Sequence, residues 1–297
     1  VATRQRALEI APEGITIRLA REEDAGECGR ICHAAFTQIN LKHGFPPDFP
    51  NAEVATGVLS TLFRHPGFYC VVAEANGKLI GSNCLDERAP IAGVGPITVD
   101  PETQNKSVGR SLMQAVLKRA EEEKFPGVRL LQAAFHNRSL SLYTKLGFDA
   151  REPISVMQGP PIGRHMEGYR VRSVTMNDVE ACNRLCSAVH GHHRGGELAD
   201  AINEGSAVAT ERGGRITAYA TGLGFFLHAV AETNEDLQAL IASAKEFQGP
   251  GILVPTRNAE LFRWCLQNCL RVVEPMTLMT IGLYNEPKGA YLPSITF

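Results

Sequence analysis

Apolar and polar positions along the first half of the chain alternate in recognisable periods. Ile15–Leu19 alternates and is β-branched, which predicts a strand. Cys28, Ile31, Cys32 and Ala35 then fall at helical spacing, so a helix with that inward stripe follows, and Asp24 stands where it can cap it. Phe68–Glu74 and Lys78–Leu85 flank Asn76-Gly77, a pair whose tolerance of positive φ suits the tight turn of a β-hairpin. Ile91–Val99 reads as the next strand, and Gly93, Gly95 and Pro96 within it suit a bulge or a splayed edge. Val108–Phe125 predicts a long helix with Leu112, Val116 and Leu117 inward. Val128–Phe135 reads as a strand, Arg138–Leu146 as a short helix, and Phe148–Gln158 as containing a further strand. An antiparallel start followed by strand, helix, strand, helix predicts a mixed α/β fold, a central mixed sheet flanked by helices.

The pattern occurs twice. Ile17-Arg18-Leu19, Asp24, Cys28, Arg30 and Cys32 return 154 positions later as Val171-Arg172-Ser173, Asp178, Cys182, Arg184 and Cys186. Glu74–Ile80 returns 137 positions later as Glu211–Thr217, and Asn137, Leu140 and Tyr143 return 121 positions later as Asn258, Leu261 and Trp264. The matches keep their order, as a tandem duplication requires. The first drop in offset implies a shorter connection in the second copy, which has no counterpart to the Pro- and Phe-rich Leu41–Asn51. Glu152–Gly168, with Pro153, Gly159, Pro160, Pro161 and Gly163, reads as the linker region. The 297 residues also exceed one ordinary domain of about 100–200 residues. The expected organisation is therefore two domains of like fold, residues 1–158 and 159–297.

Composition narrows the function classes. With 44% hydrophobic and 21% charged residues the chain is of the globular type. A formal net charge of −2 gives no electrostatic reason to expect nucleic acid or an anionic membrane as partner. Apolar runs such as Phe68–Ala73 are strand-length, far short of the roughly 20 residues of a membrane helix. Val1–Ile10 is charged and lacks the apolar core of a signal peptide, so a cytoplasmic location is expected. The eight cysteines are accordingly read as reduced, mostly buried thiols.

One segment carries chemistry. From Ile97-Thr98-Val99 the chain passes through a small polar loop, Asp100–Lys106, into Ser107-Val108-Gly109-Arg110-Ser111 at the start of the long helix. A helix N-terminus presents unpaired N–H groups and the positive end of the helix dipole, a natural cradle for pyrophosphate. Gly109 permits close backbone approach, and Lys106 and Arg110 can add charge-assisted contacts.

The segment resembles the acyl-CoA loop of the GNAT superfamily of acetyl-CoA-dependent N-acyltransferases, whose pattern is Arg/Gln-x-x-Gly-x-Gly/Ala. Here Gln104 is followed by Ser107 where the first glycine normally stands, and then by Gly109. Downstream, Asn137–Phe148 is similar to the family's Asn-x-x-(small/apolar)-x-x-Tyr-x-(Lys/Arg)-x-Gly-Phe signature. The likeness covers Ile15 to about Gln158 well and Tyr169–Tyr284 faintly. It implies that main-chain groups of Ile97 and Val99 pair with the pantetheine arm. It places Thr98, Gln104, Asn105, Lys106, Ser107, Val108, Gly109, Arg110 and Ser111 around the cofactor, puts Asn137 on its arm, and makes Tyr143 the general acid for the departing thiolate. The expected reaction is transfer of an acetyl or short acyl group from acetyl-CoA to a small-molecule or peptide amine, by direct attack in a ternary complex, in a monomer or homodimer. The alternatives are a non-catalytic acyl-CoA-binding or regulatory protein, or a scaffold without CoA affinity. Ser107 strains the backbone if its site is left-handed. No general base is identified; Asp86, Glu87 and His136 are the candidates, with a water chain as the alternative.

In the second copy the corresponding loop reads Glu232-Thr233-Asn234-Glu235-Asp236-Leu237, with three carboxylates and no glycine, and Trp264 stands for Tyr143. This copy is expected to be catalytically silent. Cys182, Cys186, His190, His192 and His193 are residue types that suit zinc. Cys28 and Cys32 occupy the same repeat positions, however, with Phe36 where His190 falls, so the shared face is read as core and no metal is expected. Cys265 and Cys269 are likewise read as buried. The apolar segment Gly289–Phe297 is expected to pack in a groove, on the first domain, and to line the acceptor pocket.

Overall fold

The computed structural model describes residues 14–103 and 107–296. The chain divides into two compact units, one holding the residues up to Glu87 with Ala92–Val128, the other Arg88–Ile91 with Arg129–Ile295. Among the described residues no helix is long and apolar enough to cross a membrane.

In the first unit β1 (Ile15–Leu19), β2 (Phe68–Ala75), β3 (Lys78–Asp86) and β4 (Ala92–Val94) form an antiparallel sheet in that order, and β5 (Thr98–Val99) also pairs with β3. Its helices are α1 (Ala25–Lys42), α2 (Ala52–Arg64) and α3 (Val108–Glu122). Cys28, Ile31 and Cys32 of α1 and Leu112 and Val116 of α3 are buried, as their spacing predicts. Asn76 and Gly77 both have positive φ, 50° and 74°, as a two-residue hairpin turn with the twist of its strands requires.

Four readings of this half are corrected. Ile91–Val99 is not one strand: a cis peptide at Gly95-Pro96 separates β4 from β5. Asp24 does not cap α1, because its carboxylate turns back to accept both ends of the Arg18 fork, at 2.7 and 2.9 Å. α2, absent from the periodicity reading, buries Ala55, Leu59 and Leu62 and is capped by Asn51, whose side chain accepts the Val54 N–H at 2.9 Å. Finally, Cys70 and Cys84 are not thiols. They lie directly opposite each other on β2 and β3 and are joined by a disulfide.

In the second unit the remaining elements are β6 (Gly127–Ala133, whose first two residues lie in the first unit), α4 (Asn137–Lys145), β7 (Asp149–Gln158), β8 (Arg170–Ser173), α5 (Val179–His190), α6 (Gly195–Glu204), β9 (Val208–Arg212), β10 (Arg215–Ala220), β11 (Ala229–Ala231), α7 (Asn234–Ser243), β12 (Ile252–Pro255), α8 (Ala259–Gln267), β13 (Arg271–Gly282) and β14 (Ala290–Leu292). Five strands run in the order β14-β11-β10-β9-β8, and four more in the order β6-β13-β7-β12. β7 is thus bonded on one side to β13 and on the other to β12. The linker reading is narrowed accordingly, since Glu152–Gln158 belongs to β7. The compact units divide between Val128 and Arg129, and β7 is held on both edges by strands that follow it in the chain, β12 and β13.

The duplication extends to individual hydrogen bonds. Arg18 forks onto Asp24 and gives its Nε–H to Glu74 at 3.0 Å; Arg172 forks onto Asp178, at 2.8 Å twice, and gives its Nε–H to Glu211 at 2.7 Å. Each hairpin breaks register at the same place, between the pairs Ala73↔Gly81 and Glu74↔Leu79 in the first and Thr210↔Ala218 and Glu211↔Ile216 in the second.

The third match shifts by one. The His136 side chain accepts the Ser139 N–H at the start of α4, and Asn258 accepts the Leu261 N–H at the start of α8. Beyond the helices, Phe148 N–H donates to the Tyr143 carbonyl and Leu270 N–H to that of Cys265. Caps and helix ends therefore pair His136 with Asn258 and Tyr143 with Cys265, 122 positions apart, and not with Trp264. The same frame explains Cys269, which is exposed rather than buried: it takes the left-handed position after its helix (φ 67°) that Gly147 (φ 98°) fills in the first repeat.

Candidate active site

Close strand packing leads into the first unit's site. A Cβ on Gly81 would come within 2.5 Å of the Thr98 carbonyl oxygen, so only glycine lets β5 lie this close to β3. β5 pairs with β3 on one side, and among the described residues nothing pairs with its other edge. Ile97 precedes it, and Thr98 is buried with its hydroxyl 3.4 Å from that of Ser82.

The chain re-emerges at Ser107 with φ 61° and ψ 9°, left-handed, and enters α3 at once. The Ser107 side chain does not cap the helix, and its first turn holds no acid, so the positive end of the helix dipole is not offset from within that turn. Val108 and Ser111 are buried, Gly109 is half-buried and Arg110 is exposed. Gln104, Asn105 and Lys106 lie outside the described residues. The left-handed site is the one for which the family pattern has glycine, and serine there is strained by about 1–2 kcal/mol. Ser107→Gly should therefore stabilise the chain by about 1 kcal/mol, read as a raised midpoint in thermal unfolding.

Asn137 and Tyr143 lie in the second unit, on α4. Asn137 is the first helical residue and exposed, while His136 is the cap. Tyr143 is buried against Phe148, with ring centroids 6.1 Å apart. Burial pushes its phenol pKa up, which keeps the proton in place throughout the neutral range. Of the candidate bases, Glu87 is held by the Arg119 fork at 2.8 and 3.2 Å, and His136 is occupied as a cap. Asp86 is buried at the end of β3 opposite Gly93.

The second repeat shows what each part of this site becomes when it is filled. Gly81↔Val99 and Ser82↔Thr98 in the first repeat match Ala218↔Ala231 and Tyr219↔Val230 in the second, so Ile97-Thr98-Val99 corresponds to Ala229-Val230-Ala231 of β11. The bond closing each pair, Asp100 N–H to Ile80 and Glu232 N–H to Thr217, is 2.9 Å in both. Beyond it, α7 begins at Thr233, whose hydroxyl accepts the Asp236 N–H. The Asp236 carboxylate is fully buried and takes both ends of the Arg212 fork with the hydroxyls of Thr217 and Thr233. Burial alone would raise its pKa, but these donors outweigh that and hold it below the usual range. An internal anion thus sits at the helix start where the first repeat has none. The segment after Lys288 forms β14 on β11 of the second repeat, which corrects its expected docking on the first domain. Cys182 and Cys186 are core residues, clustered with Leu185, Val189 and Tyr219.

Residues 36–148 match the model of the acetyltransferase (GNAT) family. A mycothiol acetyltransferase of Nocardia farcinica is 28% identical over 154 residues, half of each chain, and one from Tsukamurella paurometabola is 28% identical over 152 residues, 48% of this chain and 51% of its own. The chain thus spans about half the length of these curated relatives. Among solved structures, a Pyrococcus horikoshii protein assigned as an acetyltransferase superposes with a TM-score of 0.74 at 16% identity, covering 97% of this chain and 98% of its own. A tandem GNAT protein from the clavulanic acid biosynthesis pathway gives 0.53 at 11% identity over 90% and 98%. These structures share the fold over both repeats, and acetyl-CoA is the co-substrate of the family whose model matches. Residues 36–148 are thus similar to the GNAT acetyltransferase domain, and that stretch is set within a tandem mixed α/β fold.

Proposed function

We propose that the chain is an N-acyltransferase that passes an acetyl or other short acyl group from CoA to an amine by direct attack in a ternary complex. The observation that carries this reading is the unpaired edge of β5 running into the acid-free start of α3, both of which are filled in the second repeat. Main-chain groups of Ile97 and Val99 hold the pantetheine arm as an added strand would. The N–H groups of Val108, Gly109 and Arg110 receive the pyrophosphate, with Gln104, Asn105, Lys106 and Ser107 leading into them and Ser111, whose own N–H is bonded to the Ser107 carbonyl, closing the first turn. Thr98 packs beneath the arm and Asn137 contacts it. As the amine nitrogen bonds to the thioester carbonyl carbon and the C–S bond breaks, Tyr143 gives its phenolic proton to the sulfur. The amine's own proton leaves through water. The curated relatives make acetyl the first donor to try, and acceptors related to mycothiol the first to screen.

Isothermal titration with acetyl-CoA tests the site. About one equivalent should bind per chain, and Gly109→Glu, which sets a carboxylate where the pyrophosphate lies, should abolish binding. Equal binding by both proteins would move the cofactor elsewhere, and no binding by the wild type would favour the scaffold reading.

A further inference from the structure

Resting on that placement of pantetheine along Ile97–Val99, we infer that β14 occupies in the second repeat the slot that pantetheine takes in the first. The internal match decides the position. Ala229 and Ala231 are the counterparts of Ile97 and Val99, and they are the residues that β14 pairs with, in the register Ala229↔Leu292, Val230↔Tyr291, Ala231↔Ala290. The chain's own segment thus supplies the extended, hydrogen-bonding partner that the first repeat leaves to a ligand.

The slot is built to hold this strand. A Cβ on Gly289 would lie 2.6 Å from the Ala231 carbonyl oxygen and 2.9 Å from Val189, so the segment enters through a gap that only glycine passes. Ala290 and Leu292 join the core cluster of Ile252 and Val254. On its other face Tyr291 gives its hydroxyl proton to the buried carboxylate of Glu152, which also accepts from Arg257 at 2.9 Å. Backbone bonds fasten both flanks, Lys288 N–H to Val189 at 2.9 Å and Ile295 N–H to Phe225 at 2.8 Å, and Arg194 gives a hydrogen bond to the Ser294 hydroxyl at 3.2 Å. With Asp236 at the head of α7, both halves of a CoA-shaped site are taken by groups of this chain. The second repeat is therefore a receptor for an extended peptide, occupied from within.

The test is competition between that segment and pantetheine, which lacks the pyrophosphate that Asp236 would repel. A protease site placed at Glu286-Pro287 allows the folded full chain to be cut there, after which a labelled synthetic peptide of residues 288–297 is exchanged in. Pantetheine should reduce peptide occupancy at least tenfold, and a peptide carrying Gly289→Val should rebind at least tenfold more weakly. Peptide occupancy indifferent to pantetheine overturns the inference. If the cut segment does not leave, amide exchange at Tyr291 and Leu292 in the intact chain gives the same decision: faster with pantetheine supports it, unchanged overturns it. Titration of the intact chain with acetyl-CoA reports on the first repeat alone, so failure there overturns the reading of β5 and leaves the peptide result to be judged separately.

Discussion

Tyr143→Phe will lower turnover by about 10²–10⁴-fold while leaving acetyl-CoA affinity nearly unchanged. The substitution keeps the ring that packs against Phe148 and removes only the hydroxyl. Because burial raises the phenol pKa, the wild-type acid should stay protonated across the neutral range, and a pH–rate profile should show no loss assignable to it there. Steady-state rates beside titration calorimetry separate the two effects. A variant with unimpaired turnover would remove Tyr143 from the chemistry, and one that lost CoA binding equally would make it a packing residue.

The largest expected effect on stability lies in the second unit. Glu197, 6% exposed, lies 2.6 Å from Arg194 and 3.1 Å from the His228 ring, and His228 in turn meets the Tyr219 hydroxyl at 3.0 Å. Glu197→Ala leaves a buried guanidinium without its counter-ion and should destabilise by about 3–5 kcal/mol, whereas Glu197→Gln should lose less. Acid should produce a related loss. Burial would raise the Glu197 pKa, but Arg194 and His228 outweigh it and hold it well below the usual value, so its contribution is present above about pH 4.5 and fades as pH falls. His192 is pushed down to about 4 by burial and by Arg129, and His190 is lowered by burial and its cationic neighbours. The unfolded chain binds protons at these imidazoles from about pH 6.5 downward while the folded chain does not, so stability should fall between about pH 6.5 and 4. Thermal unfolding at steps from pH 8 to pH 4 checks this, and a midpoint that holds steady from pH 7 to pH 5 would count against it.

Much of the fold was legible because the duplication repeats residues whose roles are local. Arg18 and Asp24 sit six apart and bond each other, so the pair survives as a pattern in Arg172 and Asp178. Asn76-Gly77 announced its hairpin by composition alone. What escaped depends on geometry that sequence does not carry. Asn137 and Asn258 look alike, yet the cap of α4 is His136, so the likeness misaligned Tyr143 by one residue. Counting outward from the hairpin turn sets Cys70 opposite Asn83, and only the register shift between Ala73 and Glu74 brings Cys84 there, so the pairing was hidden by a bulge that spacing does not show. Glu197 and Arg194 look like ordinary charges at the start of an amphipathic helix, and nothing in their spacing shows that the helix turns them inward. The segment around Tyr291 was rightly read as too apolar for water, but its partner lies far away in sequence and was invisible.

The interleaving of β7 between β12 and β13 bears on what the second repeat does for the first. β7 follows directly on α4, the helix that carries Tyr143, and both its edges are satisfied by strands of the second repeat. Natural variation in the second repeat should therefore be narrow along Ile252–Pro255 and Arg271–Gly282, where β7 takes its neighbours. The second repeat is thus scaffolding for its twin, and the chain cannot shed it without leaving a bare strand next to the helix that carries Tyr143.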